Sequence, residues 1–166
     1  MKGSDLWLMG DEQLRHLAKL TMASFARPVS ARPSVPCTRA EVDKVLLELN
    51  VAVDDGSYIP ETPTVDNPAL SDDYIFTPED KDYILKDLSH RNFVGKVKDV
   101  GKGAKKRLSR GLPQEYLYVF QYPCRLLRRD YEESGIRYDN VLIYIKVNCR
   151  TIPYKKVFIV SFHKNR

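Results

Sequence analysis

Four polar side chains in the last third of the chain have the chemistry to handle protons and phosphates. They are Gln121, Tyr144, Lys146 and His163. Histidine titrates near neutral pH and can accept or donate a proton. Tyr144 and Lys146 are two residues apart, so on a strand they share a face, to which Gln121 on the preceding strand could add an amide. The ordinary alternative stays open: an exposed His163 without a role, and Tyr144 and Lys146 on the solvent face of a half-buried sheet.

A second group with possible chemistry is a run of cations between Gly95 and Gly111: Lys96, Lys98, Lys102, Lys105, Lys106, Arg107 and Arg110. Residues 1–90 carry 9 basic and 16 acidic side chains, whereas residues 91–166 carry 18 and 6, so the net charge of +5 combines −7 with +12. A basic half of this strength suits a polyanion, nucleic acid first and an anionic membrane second. The alternative is a solvated loop that only adds solubility.

Several classes of protein are disfavoured by the cysteine, histidine and hydropathy patterns. The three cysteines are far apart and form no Cys-x-x-Cys motif, and there are only three histidines, so neither a disulfide framework nor a metal centre is expected. Cys124 beside Arg125 fits a small, partly buried thiol better than a nucleophile. No apolar run has the length of a membrane span, and no secretory pattern is visible. We therefore expect a cytoplasmic protein with reduced thiols, no metal and no cofactor.

The order of predicted elements places these residues on an α+β fold. A helix over Asp11–Phe25 precedes a proline-rich linker, so residues 1–35 form an N-terminal helical extension and residues 36–166 the main domain. Helices are predicted to start at Thr38 and at Thr77, the latter running to about Leu88. Residues 51–73 and the cationic run are predicted as loops. Three strands of an antiparallel sheet are predicted over 115–122, 140–148 and 155–163.

Four segments, taken in order, resemble a known family. They are Pro36–Arg39 leading into the first predicted helix of the main domain, Ile84–Phe93, Ile143–Val147 and Val157–Phe162. Between about Pro36 and Lys164 the chain resembles the MqsR-type toxins, ribosome-independent mRNA interferases of bacterial toxin–antitoxin systems with a RelE-like fold. The resemblance implies metal-free cleavage of single-stranded mRNA, which inhibits translation, and a cognate antitoxin protein that covers the toxin.

Carried over residue by residue, the resemblance makes Tyr144 an active-site tyrosine and Gln121 a glutamine of the preceding strand. The chain departs from the family at Cys37, where the family has histidine. The family has lysine at the positions of Gly95 and His163. In this chain a lysine comes one position later in each case, at Lys96 and Lys164.

The site expected from these arguments cleaves RNA by attack of a ribose 2′-hydroxyl on its own phosphate. His163 and Tyr144 are expected to transfer protons, in an order left open, and Gln121 to position the substrate. Lys96, Lys146 and Arg125 are expected to stabilise the phosphate charge. The wider RNA-binding surface is expected to comprise Lys98, Lys102, Lys105, Lys106, Arg107, Arg110 and Lys164.

Two other functions stay open at this point. One is a non-catalytic RNA-binding or ribosome-binding protein on the same fold. The other is a protein-interaction module that docks a basic partner through its acidic half.

Overall fold

The computed structural model describes residues 34–152 and 154–165. The helix predicted over Asp11–Phe25 lies outside the described residues, as does most of the predicted linker.

The helices begin where side-chain caps predict them. Helix α1 (Arg39–Asp55) starts after Thr38, whose hydroxyl accepts a hydrogen bond from the backbone N–H of Glu41. Its apolar stripe continues through Ala52 and Val53, so the helix runs five residues into the predicted loop and ends at Gly56, which has a left-handed φ of 64°. A one-turn helix α2 (Leu70–Asp73) follows.

Helix α3 (Pro78–Asp87) starts after Thr77, as predicted, and Thr77 and Asp80 form a full capping box, which the prediction did not include. A 3₁₀ turn over His90–Asn92, capped by Ser89, then leads into the sheet.

The sheet has four antiparallel strands in the order β1-β2-β3-β4. Their bounds are β1 Phe93–Lys98, β2 Tyr116–Leu127, β3 Tyr138–Arg150 and β4 Lys156–Lys164. Helix α4 (Lys102–Ser109) connects β1 to β2, and the short helix α5 (Tyr131–Ser134) connects β2 to β3. The predicted α+β class, with helices followed by a small antiparallel sheet, is confirmed, as are its three predicted strands.

The prediction of a basic loop between Gly95 and Gly111 is wrong. The first part of that run belongs to β1, where Phe93 packs edge-on against Phe120 with ring centres 5.6 Å apart and Val97 is buried. The second part is α4, which buries Ala104. Lysine is a good helix former, so the charges of α4 are compatible with a helix whose buried side is small.

The two faces of the sheet have different environments. On the helix-side face, Phe120, Ile143, Ile145 and Phe162 belong to the main buried cluster, together with residues of α1 and α3 such as Leu49. The opposite face, which we call the far face, carries a separate small cluster. That cluster consists of Val97, Leu117, Val119 and Tyr144, with Val94 at its side.

A β-bulge in the β3–β4 ladder determines which β4 side chains reach the far face. Tyr144 is paired with His163 and Lys146 with Ser161, but Val147 is paired with Ile159, so Val160 is an extra residue. His163 therefore lies on the far face beside Tyr144, and Phe162 points into the core.

Both edges of the sheet have a backbone neighbour. At β1, the N–H of Val35 donates to the carbonyl of Lys96 over 2.7 Å. At β4, Ile59 bridges to Phe158. No helix within the described residues has the length and apolar character needed to cross a membrane.

Candidate active site

The centre of the far face is a row of three polar side chains on three neighbouring strands. Gln121 on β2 is the register partner of Tyr144 on β3, and Tyr144 is the register partner of His163 on β4. The two rings lie 5.6 Å apart between centres. Lys146 is one step along β3 on the same face, with its Nζ 5.3 Å from the centre of the Tyr144 ring. Four of the six predicted catalytic residues are therefore brought together.

The hydrogen bonding of His163 indicates its tautomer. Its Nδ1 lies 3.1 Å from the backbone carbonyl oxygen of Lys164. A carbonyl oxygen only accepts, so Nδ1 carries the hydrogen, and in the neutral ring Nε2 is then the basic nitrogen. In that neutral form, Nε2 is the ring nitrogen that a general base uses to accept a proton.

Gln121 is the most unusual member of the row. Its side chain is fully buried, and within the described part of the chain neither its amide nitrogen nor its amide oxygen has a hydrogen-bond partner. Leaving a buried polar group unpaired costs about 1–3 kcal/mol, so such groups are rare and often belong to functional sites. Tyr144 beside it is 8% exposed, whereas Lys146 and His163 are half-buried.

Lys96 lies on the other face of the sheet. It is paired with Tyr118, and its Nζ donates to Glu41 Oε2 of α1 over 2.8 Å. The same Nζ lies 4.4 Å from the ring centre of Tyr116. Burial is the largest single influence and lowers the pKa of Lys96, but the hydrogen bond to Glu41 and the nearby Tyr118, Glu41 and Cys37 charges together raise it. Lys96 is thus held as a structural cation and is not part of the row.

Arg125 and Lys164 are also separated from the row. Arg125 shares the far face but lies four residues along β2 from Gln121, about 13 Å away, where its guanidinium stacks 4.2 Å from the Tyr138 ring centre. Lys164 is paired with Ile143 on the helix-side face, and its Nζ lies 3.2 Å from the hydroxyl of Tyr74.

Most of the other predicted RNA-binding cations are exposed. Lys102, Lys105, Lys106 and Arg110 are exposed on α4 or at its end, and Lys98 is exposed at the end of β1. Arg107 differs, because its guanidinium pairs with Glu115. These exposed cations make a basic surface beside the sheet.

Glu115 is the centre of a charged cluster at one end of the far face. It accepts hydrogen bonds from Arg107, Asn148 and Arg150, and Asn148 also donates to Asp99. Burial would raise the pKa of Glu115, but these donors lower it to about 2. No motif in the sequence predicts this cluster, although Asn148 and Arg150 continue the two-residue spacing of Tyr144 and Lys146.

The thiols do not offer a nucleophile at neutral pH. Burial raises the pKa of Cys124 well above its ordinary value, and burial together with nearby Glu48 raises that of Cys149 to about 12. Burial also raises the pKa of Cys37. Within residues 34–152 and 154–165, no group of three histidine, cysteine or acidic side chains has the arrangement of a metal site.

Comparisons of the chain with protein-family models, with curated proteins and with solved structures find no match. A functional proposal for this protein is therefore based on the far-face side chains and on the resemblance of the four sequence segments.

Proposed function

We propose that the protein is an MqsR-like endoribonuclease that cleaves single-stranded RNA without a metal and thereby inhibits translation. The observation that carries this proposal is the row Gln121–Tyr144–His163 across three strands, with Lys146 beside it. A base, an acid, an amide and a cation on one sheet face are the groups that transesterification of RNA needs.

In the proposed reaction, Nε2 of His163 takes the proton from a ribose 2′-hydroxyl. The 2′-oxygen attacks the adjacent phosphorus, the bond from phosphorus to the 5′-oxygen breaks, and Tyr144 donates a proton to that leaving oxygen. Lys146 stabilises the charge on the phosphorane, and Gln121, which is buried next to Tyr144, is assigned to positioning. The products are a 2′,3′-cyclic phosphate and a free 5′-hydroxyl.

The test is incubation of the purified full-length protein with a long single-stranded RNA, with and without EDTA. Cleavage that persists in EDTA and leaves cyclic phosphate ends is the expected result. RNA that stays intact in every condition contradicts the proposal, and cleavage abolished by EDTA contradicts the metal-free route.

Two variants test the assigned roles. Tyr144→Phe and His163→Ala should each slow cleavage by at least about a hundredfold, because each removes a proton-transfer group. The matched controls are Tyr154→Phe and His90→Ala. Tyr154 is an exposed tyrosine between β3 and β4, and His90 pairs with Asp43 of α1. Unchanged rates in both site variants would contradict the assigned site.

A non-catalytic RNA-binding function is the second candidate, and the exposed cations of α4 favour it. Such a protein would bind RNA with an affinity that falls steeply with salt, yet leave the strand intact. Filter binding run beside the cleavage assay distinguishes the two functions. The cognate antitoxin implied by the resemblance stays a prediction, checked by a small adjacent reading frame and co-purification of its product.

A further inference from the structure

The row of the candidate site ends at β4, and a small cavity lies at the outer side of that strand. We call this cavity the edge notch. Its lining includes two residues of β4 and three of the connection between α1 and α2: Ser161, His163, Thr62, Thr64 and Asn67. Ser161 and His163 are also the register partners of Lys146 and Tyr144. The edge notch therefore adjoins the candidate site and shares His163 with it.

The backbone beside β4 explains why a gap opens there. Ile59 runs parallel to β4: its N–H donates to the carbonyl of Val157, and its carbonyl accepts from the N–H of Ile159, each over 2.9 Å. Continued pairing would use the N–H groups of residues 61 and 63, and Pro63 has none. Within the described residues no further bridge forms on this side of β4, so the loop separates from the strand and leaves the notch.

The loop wall of the edge notch is held in place by two sets of bonds. Both carboxylate oxygens of Glu61 accept from Lys81 Nζ of α3, over 2.9 and 2.7 Å, and both side chains are mostly buried. Further along, the N–H of Thr64 donates to the carbonyl of Asn67, and the N–H of Asn67 donates to the Thr64 hydroxyl. The turn thus uses the backbone of Asn67 and leaves this residue exposed at the notch.

The chemistry of the edge notch suits a nucleobase better than a phosphate or an amine. Besides His163, its polar side chains are three hydroxyls, one amide and the Glu61 carboxylate, which Lys81 already neutralises. A phosphate calls for cations and an ammonium group calls for a free carboxylate. The notch measures about 90 Å³, whereas pockets for whole small molecules start at roughly 300 Å³, so its size suits one flat ring.

We propose that the edge notch holds an adenine base of single-stranded RNA, recognised by the side-chain amide of Asn67; this inference rests on the proposed function. The base is that of the nucleotide whose 2′-hydroxyl gives its proton to His163, because His163 lines both the row and the notch. An asparagine amide pairs with adenine through two hydrogen bonds, since it donates to N7 and accepts from the N6 amino group. Asn67 is then a specificity-determining residue of the same site.

The test is to sequence the ends formed when the full-length protein cleaves an RNA of randomised sequence. Adenine should be enriched at least about fivefold on the 5′ side of the broken bond, the discrimination expected of a good bidentate contact. Asn67→Ala should reduce this enrichment to less than about twofold. Asn50→Ala is the matched control, because the Asn50 amide donates to the Leu46 carbonyl within α1, and it should leave the enrichment unchanged.

Three results would overturn the proposal. Adenine enrichment that survives Asn67→Ala would show that another group recognises the base. Equal use of the four bases at that position, or enrichment of a base other than adenine, would contradict an adenine site at the notch.

Binding without cleavage separates this inference from the proposed function. Oligodeoxyadenylate and oligodeoxythymidylate of equal length lack the 2′-hydroxyl, so the proposed reaction cannot cleave them. The protein should bind the adenylate at least about fivefold more tightly, and Asn67→Ala should abolish this difference while Asn50→Ala keeps it.

The two assays together distinguish the possible failures. If RNA stays intact but the Asn67-dependent difference in binding is found, the proposed function fails and the base site stands. If RNA is cleaved without an Asn67-dependent preference, the base site fails and the function stands. Intact RNA together with equal affinities for the two oligonucleotides contradicts both.

Discussion

The two faces of the sheet are built from alternate residues of the same strands, yet they are stabilised differently. On the helix-side face, the hydroxyl of Tyr122 donates to Asp87 and that of Tyr74 donates to Asp139, while the buried Asp80 of α3 has one carboxylate oxygen, Oδ1, without a partner within the described chain. Burial, together with the Asp87 and Asp139 carboxylates, raises the pKa of both tyrosines. On the far face, the fully buried Gln121 has both amide atoms unpaired within the described chain. The far face thus holds a buried side chain that makes no hydrogen bond within the described chain, at a cost in stability, whereas Asp80 keeps a hydrogen bond from the Thr77 N–H to its other oxygen.

The largest effect on stability should come from the charged end of the far face. Glu115→Gln should destabilise the protein by about 3 kcal/mol at neutral pH, because it removes a carboxylate whose pKa is about 2 in the fold. A lowered pKa gives stability that is present above pH 4.5 and lost as the pH falls towards 2. Denaturant unfolding at several pH values should show a shallower acid limb in the variant.

Asp54→Asn is the matched control for Glu115→Gln. Asp54 pairs with Lys86 at the surface, so its loss should cost less than about 1 kcal/mol. Equal losses of unfolding free energy in the two variants would show that the Glu115 cluster stabilises the fold no more than a surface ion pair does.

A pair of valine truncations compares the two faces directly. Val119→Ala on the far face and Val147→Ala on the helix-side face should each cost about 2 kcal/mol, because both side chains are almost fully buried. Chemical denaturation of the full-length chains measures both. A loss below about 0.5 kcal/mol for Val119→Ala alone would mean that the far face is less tightly packed in solution than the helix-side face.

Replacing the unpaired amide should separate stability from function. Gln121→Met should raise the free energy of unfolding by about 1 kcal/mol, because it removes a buried group without partners, while it slows RNA cleavage. Gln114→Met is the control, since the Gln114 amide donates to two backbone carbonyls and its loss should destabilise the chain. Destabilisation by Gln121→Met would mean that its amide finds a partner in solution.

The smallest effect concerns the basic surface. Replacing Lys102, Lys105 and Lys106 together with alanine should reduce the slope of log affinity for single-stranded RNA against log salt by about 2, if each contacts a phosphate. Filter binding at several salt concentrations gives the slope. The same replacement at three other exposed lysines, Lys44, Lys155 and Lys156, should leave the slope unchanged.

Local signals explain what the sequence could predict. The caps at Thr38 and Thr77 set the starts of α1 and α3, and the alternation around Tyr144 correctly places Tyr144 and Lys146 on one face. The features that the sequence could not predict depend on contacts between residues far apart in the chain. The face of Lys96 depends on the register of β1 against β2, which shifts between Phe93 and Gly95. The burial of Gln121 likewise depends on atoms distant in sequence.

The bulge at Val160 has a consequence for two rings at once. If the pairing of Val147 with Ile159 continued without an extra residue, Phe162 would stand opposite Tyr144, and His163 would turn towards the helices. Because one residue is inserted, the Phe162 ring instead packs against Phe76, with ring centres 5.9 Å apart. The His163 imidazole then contacts the Tyr144 ring. A single residue of added length thus supplies the core with its aromatic contact and the far face with its imidazole.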